Sequence, residues 1–441
     1  MEKLIIKGGK KLYGKVLVSG AKNVALKAIV AACLTEEEVI IKNIPLISDF
    51  YVMVDIIREL GGSVDIGGHT ATIKVEKFKT HKIYLDKAAE IRTSLMLLVP
   101  LLLRAGKAVI PNPGGCRIGA RPIDRIIDGL RKMGVDIRYN SNDGYFYAKA
   151  EKISGVEYKF EKSTHTGTET LILAAVLAKG KTVLENCAQE PEIDDLINFL
   201  NKMGAKVKRI SQRTIVIQGV QKLHGTEFTV SPDRNEVVTL AIAALLTQGD
   251  IYIKGVGKNG LLEFLEKIKD IGGGVEETKE GIRFFSQGLL KSTDVTSSPY
   301  PGFMTDWQSP WAVLMTKAQG LSTIHEAVYE NRFGYVEELR KMGANIEFYQ
   351  PKVEHPETFY NFNISDDKKE YNHGIKILGP AELHNGVVTV SDLRAGATLV
   401  LAALSAKGES TIYGIEHLDR GYEKLDQRLK NLGADIKRIK V

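Results

Sequence analysis

The stretch PNPGGCRIGARPID, residues 111–124, sets one cysteine among glycines and prolines, with arginines at 117 and 121. Cationic neighbours lower a thiol's pKa and favour the reactive thiolate. Cys116, between Arg117 and Arg121, is therefore the candidate reactive thiol, and its glycine- and proline-rich surroundings are those of a lid with hinges. Cys33, inside AIVAACL, and Cys187, directly after a strand-like run, read instead as small buried hydrophobes.

A second group of polar residues recurs at the start of a small-residue apolar segment. Its six versions are SGAKNVAL, AEIRTSLML, STHTGTETL, SPDRNEVVTL, MTDWQSPWA and SDLRAGATL. They place Lys22, Arg92, Arg234, Asp306 and Arg394 at about the same point, while the third offers His165 with Lys162 just before it. Ser19, Ser163, Ser231 and Ser391 are expected to be helix caps, and Thr305 to head a capping box in TDWQ. Capping does not account for the cations, because a helix N-terminus already carries positive charge. Their repetition points to an anion held against these helix starts.

These residues ride on a repeat. The phrases LRKMGVDIR, LNKMGAKVK, LRKMGANIE and LKNLGADIK, with looser copies IRELGGSVDI and IKDIGGGVEE, align Gly61, Gly134, Gly204, Gly272, Gly343 and Gly433 at separations of 73, 70, 68, 71 and 90 residues. Each reads as a helix ended by a C-cap glycine and followed by a strand. The long last interval coincides with HPETFYNFNISDDKKEYNH, expected to be a polar surface insertion. A second phrase in the same register, as in AAVLAKGKTVLEN and LAALSAKGESTIYG, is an alanine-rich helix running into a β-branched strand. The period exceeds that of solenoids, so the six units predict two α/β domains of three units each. The stretch GVGKNG matches GxGxxG between a strand and a helix, but it is the local version of a connector found in every unit and not a dinucleotide site.

Length and composition agree with this division. A chain of 441 residues exceeds a single core. The net charge of +6 is too small and dispersed for nucleic-acid binding but suits small anionic substrates. Three scattered cysteines predict neither a disulfide framework nor a metal site, and no apolar run is long enough for a membrane span. A soluble cytoplasmic protein without a metal site is expected.

The stretches SGAKNVAL, PGGCRIGARPID, QEPEI, PDRNE, TDWQ, ENRF, SDLRAGATL and HLDRGYE run from the first helix almost to the C-terminus. On them the chain resembles the enolpyruvyl transferases, in particular the branch of early peptidoglycan synthesis, whose cysteine loop the shikimate-pathway branch lacks. The resemblance implies two inside-out α/β domains, each of three βαβαββ-type repeats, with residues 22–231 in one and 1–21 with 232–441 in the other. It implies phosphoenolpyruvate and UDP-N-acetylglucosamine as substrates, with no metal or organic cofactor required. Lys22, Arg121 and Arg420 would hold phosphoenolpyruvate, with Arg394 nearby. Cys116 would donate a proton to C3, and Asp306 would bind the acceptor hydroxyl as candidate base. Asn23, Arg92, Pro122, Ile123, Asp124, Arg125, Lys162, Thr164, His165 and Val328 would line the nucleotide-sugar side, and Asp49, Glu190, Asp233 and Arg332 match further cleft positions. Thr164-His165-Thr166 stands where the family usually has Ser-Val-Gly, Arg125 where it has an aliphatic residue, and Met304 where it has proline. An acceptor other than UDP-N-acetylglucosamine, or an idle nucleotide-sugar-binding homologue, stays open at this point. RNA-end processing on a similar repeat fold would call for a concentrated basic surface that the chain lacks.

Overall fold

The structure is a computed structural model that describes residues 2–114 and 119–440; Cys116 and Arg117 lie outside the described residues. By its contacts the chain divides into two units, one of residues 20–114 and 122–231, the other of 2–19, 119–121 and 232–440.

The 20–231 unit lays down one sheet per repeat. The first orders its strands Glu227–Thr229, Val39–Lys42, Thr70–Lys74 and Ser63–Gly67. The third orders them Lys206–Ser211, Thr214–Gln218, Lys181–Glu185 and Glu157–Lys159. The second has three strands, Lys107–Pro111, Tyr145–Lys149 and Asp136–Asn140, and a single parallel bridge from Lys82 to Val109 fills the fourth place. Three strands of each four-stranded sheet run antiparallel and the fourth joins in parallel. Glu227–Thr229, last in the unit, returns to pair with Val39–Lys42, so the three repeats close on themselves.

The 232–440 unit repeats the plan. Its sheets are Val387–Thr389, Glu409–Tyr413, Glu2–Lys7, Asp435–Lys440; Gly274–Glu277, Gly281–Phe285, Asp250–Lys254, Tyr13–Leu17; and Asp294–Thr296, Gly320–His325, Gly374–Gly379, Ile346–Tyr349. The N-terminal strand Glu2–Lys7 pairs antiparallel with Glu409–Tyr413 on one side and Asp435–Lys440 on the other, which ties the chain's first residues to its last.

Helices fill the interior and sheets form the outside, an inside-out α/β architecture. Arg234–Leu246 is buried along its whole length, and Leu393–Ser405 at every residue but the last. Alanine, valine and leucine all round the axis leave no face suited to water, and such a helix must be interior. The strands alternate, as in Val39–Lys42 where Val39 and Ile41 are buried and Lys42 exposed. Each unit holds its own apolar core, one running from Ala21 to Val230 and the other from Leu4 to Ile436. The six repeat glycines have φ between 86° and 105°, the left-handed turn that ends each outer helix before its strand.

Two local expectations fail. The inner helices begin later than the serines: Thr164, Asp233 and Asp392 cap three of them through their side chains, and Ala21, Ile91 and Met304 precede the others without a side-chain cap. Ser231 instead donates its Oγ–H to Asp195 at 2.5 Å, and Thr305 is the first residue of its helix rather than the cap, its hydroxyl donating to Glu326 at 2.9 Å. The insertion at 355–373 also carries a small core of its own, in which Tyr360 and Phe362 pack with Ala327. Its polar residues hide an aromatic minority that folds back on the strand Gly320–His325.

Candidate active site

In the 232–440 unit the chemistry gathers at the start of the helix Thr305–Met315. Asp306 holds its second position, and a different arginine takes each carboxylate oxygen: Arg332 donates to Oδ1 at 2.9 Å and Arg394 to Oδ2 at 3.0 Å. The arginine side chains are 4% and 7% exposed while that of Asp306 keeps 27%, so the carboxylate is the wet end of the cluster. Burial pushes its pKa up. The charges of Arg394 and Arg332, with the Arg394 hydrogen bond, outweigh that and hold it well below the usual carboxylate range. In this arrangement Asp306 is an anchored anion and a weak base.

Arg332 reaches Asp306 from the connection after the strand Gly320–His325. That connection is organised by Glu326, which is buried and fully hydrogen-bonded. Its Oε1 accepts from the Val328 and Tyr329 N–H groups at 2.8 and 3.1 Å, and its Oε2 from Thr305 and Gln308 at 2.9 and 3.1 Å. One carboxylate thus stitches the Val328 turn to the helix that carries Asp306. Ala120 donates its N–H to Glu330, and the Arg121 guanidinium lies 5.8 Å over the Tyr329 ring. Arg420 ends the short helix Glu416–Asp419 and is half-buried.

In the 20–231 unit, Lys22 opens its helix with Nζ 2.6 Å from Asp49 Oδ2, and Asn23 follows, half-buried. Thr164 caps the helix His165–Ala175 through its Oγ1, which accepts from the Gly167 N–H at 3.2 Å. His165 Nε2 lies 3.2 Å from Glu169, whose other oxygen is 3.4 Å from Lys27 Nζ. Burial pulls the His165 pKa down, but the Glu169 carboxylate outweighs it and the net shift is upward. Ile123 precedes the helix Asp124–Lys132, with Pro122 and Asp124 exposed and Arg125 half-buried. Arg92 opens the 3-10 turn Arg92–Leu97, and it, Lys162 and Thr166 are half-buried. Glu190 is buried beside the start of the helix Pro191–Lys202.

The helix starts are therefore charged as the sequence indicates, but part of the anion expected there is the protein's own. Asp49 meets Lys22, and Asp306 meets Arg394. Arg234 serves packing: it donates to the Gly260 carbonyl at 3.2 Å and lies over the Tyr300 and Trp307 rings at 5.2 and 5.8 Å. Asp233 is a helix cap, accepting from the Asn235 N–H at 2.8 Å. Sequence reading missed Lys27, Glu169, Glu326 and Tyr422. Lys27 and Glu169 carried a usable signal, since each is a charge set inside an otherwise apolar helix. Burial pushes the Cys33 and Cys187 thiols up to about 12, as small buried hydrophobes should behave. Among the described residues no three metal-ligating side chains come together, and no helix is long and apolar enough to cross a membrane.

The chain is similar to known proteins over nearly its whole length. Residues 6–429 match the family model described as EPSP synthase (3-phosphoshikimate 1-carboxyvinyltransferase). A UDP-N-acetylglucosamine 1-carboxyvinyltransferase of Koribacter versatilis is 42% identical over 443 residues, covering 100% of this chain and 97% of the relative. One of Caldanaerobacter subterraneus subsp. tengcongensis is 41% identical, covering 100% of both. The enolpyruvyl transferase NikO of Streptomyces tendae superposes with a TM-score of 0.87 at 26% identity, over 100% of this chain and 99% of that one. The EPSP synthase of Acinetobacter baumannii, at 19% identity and a TM-score of 0.73 with both chains covered in full, shares the fold. A family match over nearly the whole chain and relatives this similar from end to end make the chain a member of the enolpyruvyl transferase (EPSP synthase) family.

Proposed function

We propose that this enzyme transfers the enolpyruvyl group of phosphoenolpyruvate to the 3-hydroxyl of UDP-N-acetylglucosamine and releases phosphate, in the cytoplasm, as a committed step of peptidoglycan synthesis. One observation carries the reading: full-length relatives about 40% identical bear the name of this activity. The clamped Asp306 supplies chemistry that suits it.

In the transfer, the acceptor oxygen bonds to C2 of phosphoenolpyruvate while C3 takes a proton, giving a tetrahedral ketal. The C2–O bond to phosphate then breaks as C3 loses a proton, and the enol ether remains. Phosphate and carboxylate require fixed cations, and the two proton movements require an acid and a base. Lys22, Arg121, Arg394 and Arg420 are the proposed cations, Cys116 the acid at C3, and Asp306 the group that orients and deprotonates the 3-hydroxyl. An arginine-clamped carboxylate is a poor base until a cation is drawn away. An anionic substrate recruiting Arg394 would restore its basicity, which places activation after phosphoenolpyruvate binding. Asn23, Arg92, Pro122, Ile123, Asp124, Arg125, Lys162, Thr164, His165 and Val328 are proposed for the nucleotide sugar.

A related acceptor is the second reading, favoured by the His165–Glu169–Lys27 cluster, which puts a chargeable imidazole next to Thr164. Phosphate release from phosphoenolpyruvate with a panel of nucleotide sugars tests both. Turnover with UDP-N-acetylglucosamine above the rest supports the first reading, and preference for another sugar nucleotide the second.

A further inference from the structure

We infer that Tyr422 is a positioning residue for the transfer, its hydroxyl holding Arg394 in the orientation that clamps Asp306. Tyr422 is 2% exposed and follows the short helix Glu416–Asp419. Its oxygen lies 3.0 Å from Arg394 Nη1 and 2.8 Å from Thr239 Oγ1. A guanidinium only donates, so Tyr422 accepts from Arg394. Thr239 gives its own proton to the Asn235 carbonyl at 3.0 Å, which leaves the Thr239 oxygen as acceptor for the tyrosine O–H. The bonds therefore run in one direction, from Arg394 through Tyr422 and Thr239 to Asn235.

The path then returns to its origin. The Asn235 side-chain oxygen accepts from Trp307 Nε1 at 3.0 Å, and Trp307 is the neighbour of Asp306. Residues of three inner helices, Arg234–Leu246, Thr305–Met315 and Leu393–Ser405, are thus linked through one tyrosine. Because the guanidinium is planar and rigid, fixing Nη1 on Tyr422 fixes where Nη2 points, and Nη2 points at Asp306 Oδ2. The tyrosine ring also lies 5.5 Å from the guanidinium carbon, limiting its tilt. Tyr422 itself is too deep to meet substrate and acts through Arg394.

This rests on the proposal that Asp306 and Arg394 serve the transfer, and two measurements keep the questions apart. In steady-state kinetics, Tyr422→Phe keeps the ring and removes the hydroxyl; kcat should fall about tenfold, as for a lost hydrogen bond to a charged group. The KM for phosphoenolpyruvate should rise while that for the nucleotide sugar stays within about twofold, and the acidic limb of the kcat profile should move to higher pH. Thr239→Val should move the same quantities in the same direction, and Thr239→Ser, which keeps the hydroxyl, should not. In the substrate-free protein, ¹³C NMR of the Asp306 carboxyl should titrate at higher pH in Tyr422→Phe than in the parent. An unchanged kcat profile with an unchanged Asp306 titration overturns the inference and leaves Tyr422 as packing. If the parent releases no phosphate at all, the functional proposal falls, and the titration alone decides whether Tyr422 positions Arg394.

Discussion

Lys22 Nζ lies 2.6 Å from Asp49 Oδ2, and neither side chain is more than 13% exposed. A cation at the start of an inner helix is thus already matched by a carboxylate from the next helix along. A substrate anion reaching Lys22 must share it with Asp49. Lys22→Arg should preserve the ion pair and the melting temperature but lose the compact ammonium, since a guanidinium spreads its charge over a planar fork. The expected result is a fall in kcat/KM for phosphoenolpyruvate of about tenfold or more. Unchanged kcat/KM in steady-state assays would remove Lys22 from the substrate cations.

Asp306→Asn keeps the shape and one acceptor oxygen for the arginines but cannot take a proton. Loss of a general base typically lowers turnover by about 10²–10⁴-fold. Binding of the nucleotide sugar, measured by calorimetry, should change far less than kcat. Near-normal turnover would restrict Asp306 to holding Arg332 and Arg394.

Cys116 should be the reactive thiol of the three. Cys33 and Cys187 are buried, with pKa pushed up to about 12, and a buried thiol is inert at neutral pH. An epoxide that mimics phosphoenolpyruvate, such as fosfomycin, should label Cys116. Cys116→Asp should resist it yet turn over, because a carboxylic acid still delivers a proton, and Cys116→Ala should lose most activity. Peptide mass mapping checks this: label on Cys33 or Cys187, or full activity in Cys116→Ala, would contradict the assignment.

Two histidines should give opposite pH dependence of stability. Burial, aided by the His373 charge, lowers His325 to about 4. Its folded form binds the proton less readily than the unfolded chain, so its contribution is present above about pH 6.5 and lost as pH falls towards 4. At His165 burial acts downward but the Glu169 charge prevails, and the pKa is raised. That contribution is present below about pH 6.5 and lost as pH rises through the folded value. Urea midpoints across pH 4–9 should therefore show His325→Gln flattening the acid side and His165→Gln the alkaline side. The reverse assignment, or no difference between the variants, would contradict the stated charge environments.

How much was legible in the amino-acid order follows from the range of the interactions involved. The outer helices ending at Gly61, Gly134, Gly204, Gly272, Gly343 and Gly433, and the largely apolar inner helices, were readable because a left-handed turn and a mostly apolar surface all round are properties of a few neighbouring residues. So was the charged start of each inner helix, since the same register recurs in every repeat. What those charges meet was not readable: Lys22 and Asp49 are 27 positions apart on consecutive helices that only packing sets side by side, and Arg394 and Asp306 are 88 apart in different repeats that meet only when the unit closes. The cap positions slipped by about a residue: Met304 precedes the helix, and Thr305, its first residue, gives its hydroxyl proton to Glu326, 21 positions on. The repeat and its charged register are thus properties of the sequence by itself. That Asp306 is an anchored anion, with Tyr422 and Glu326 holding its surroundings, was decided by tertiary packing alone, since a carboxylate's basicity depends on which charges the fold brings within a few ångströms of it.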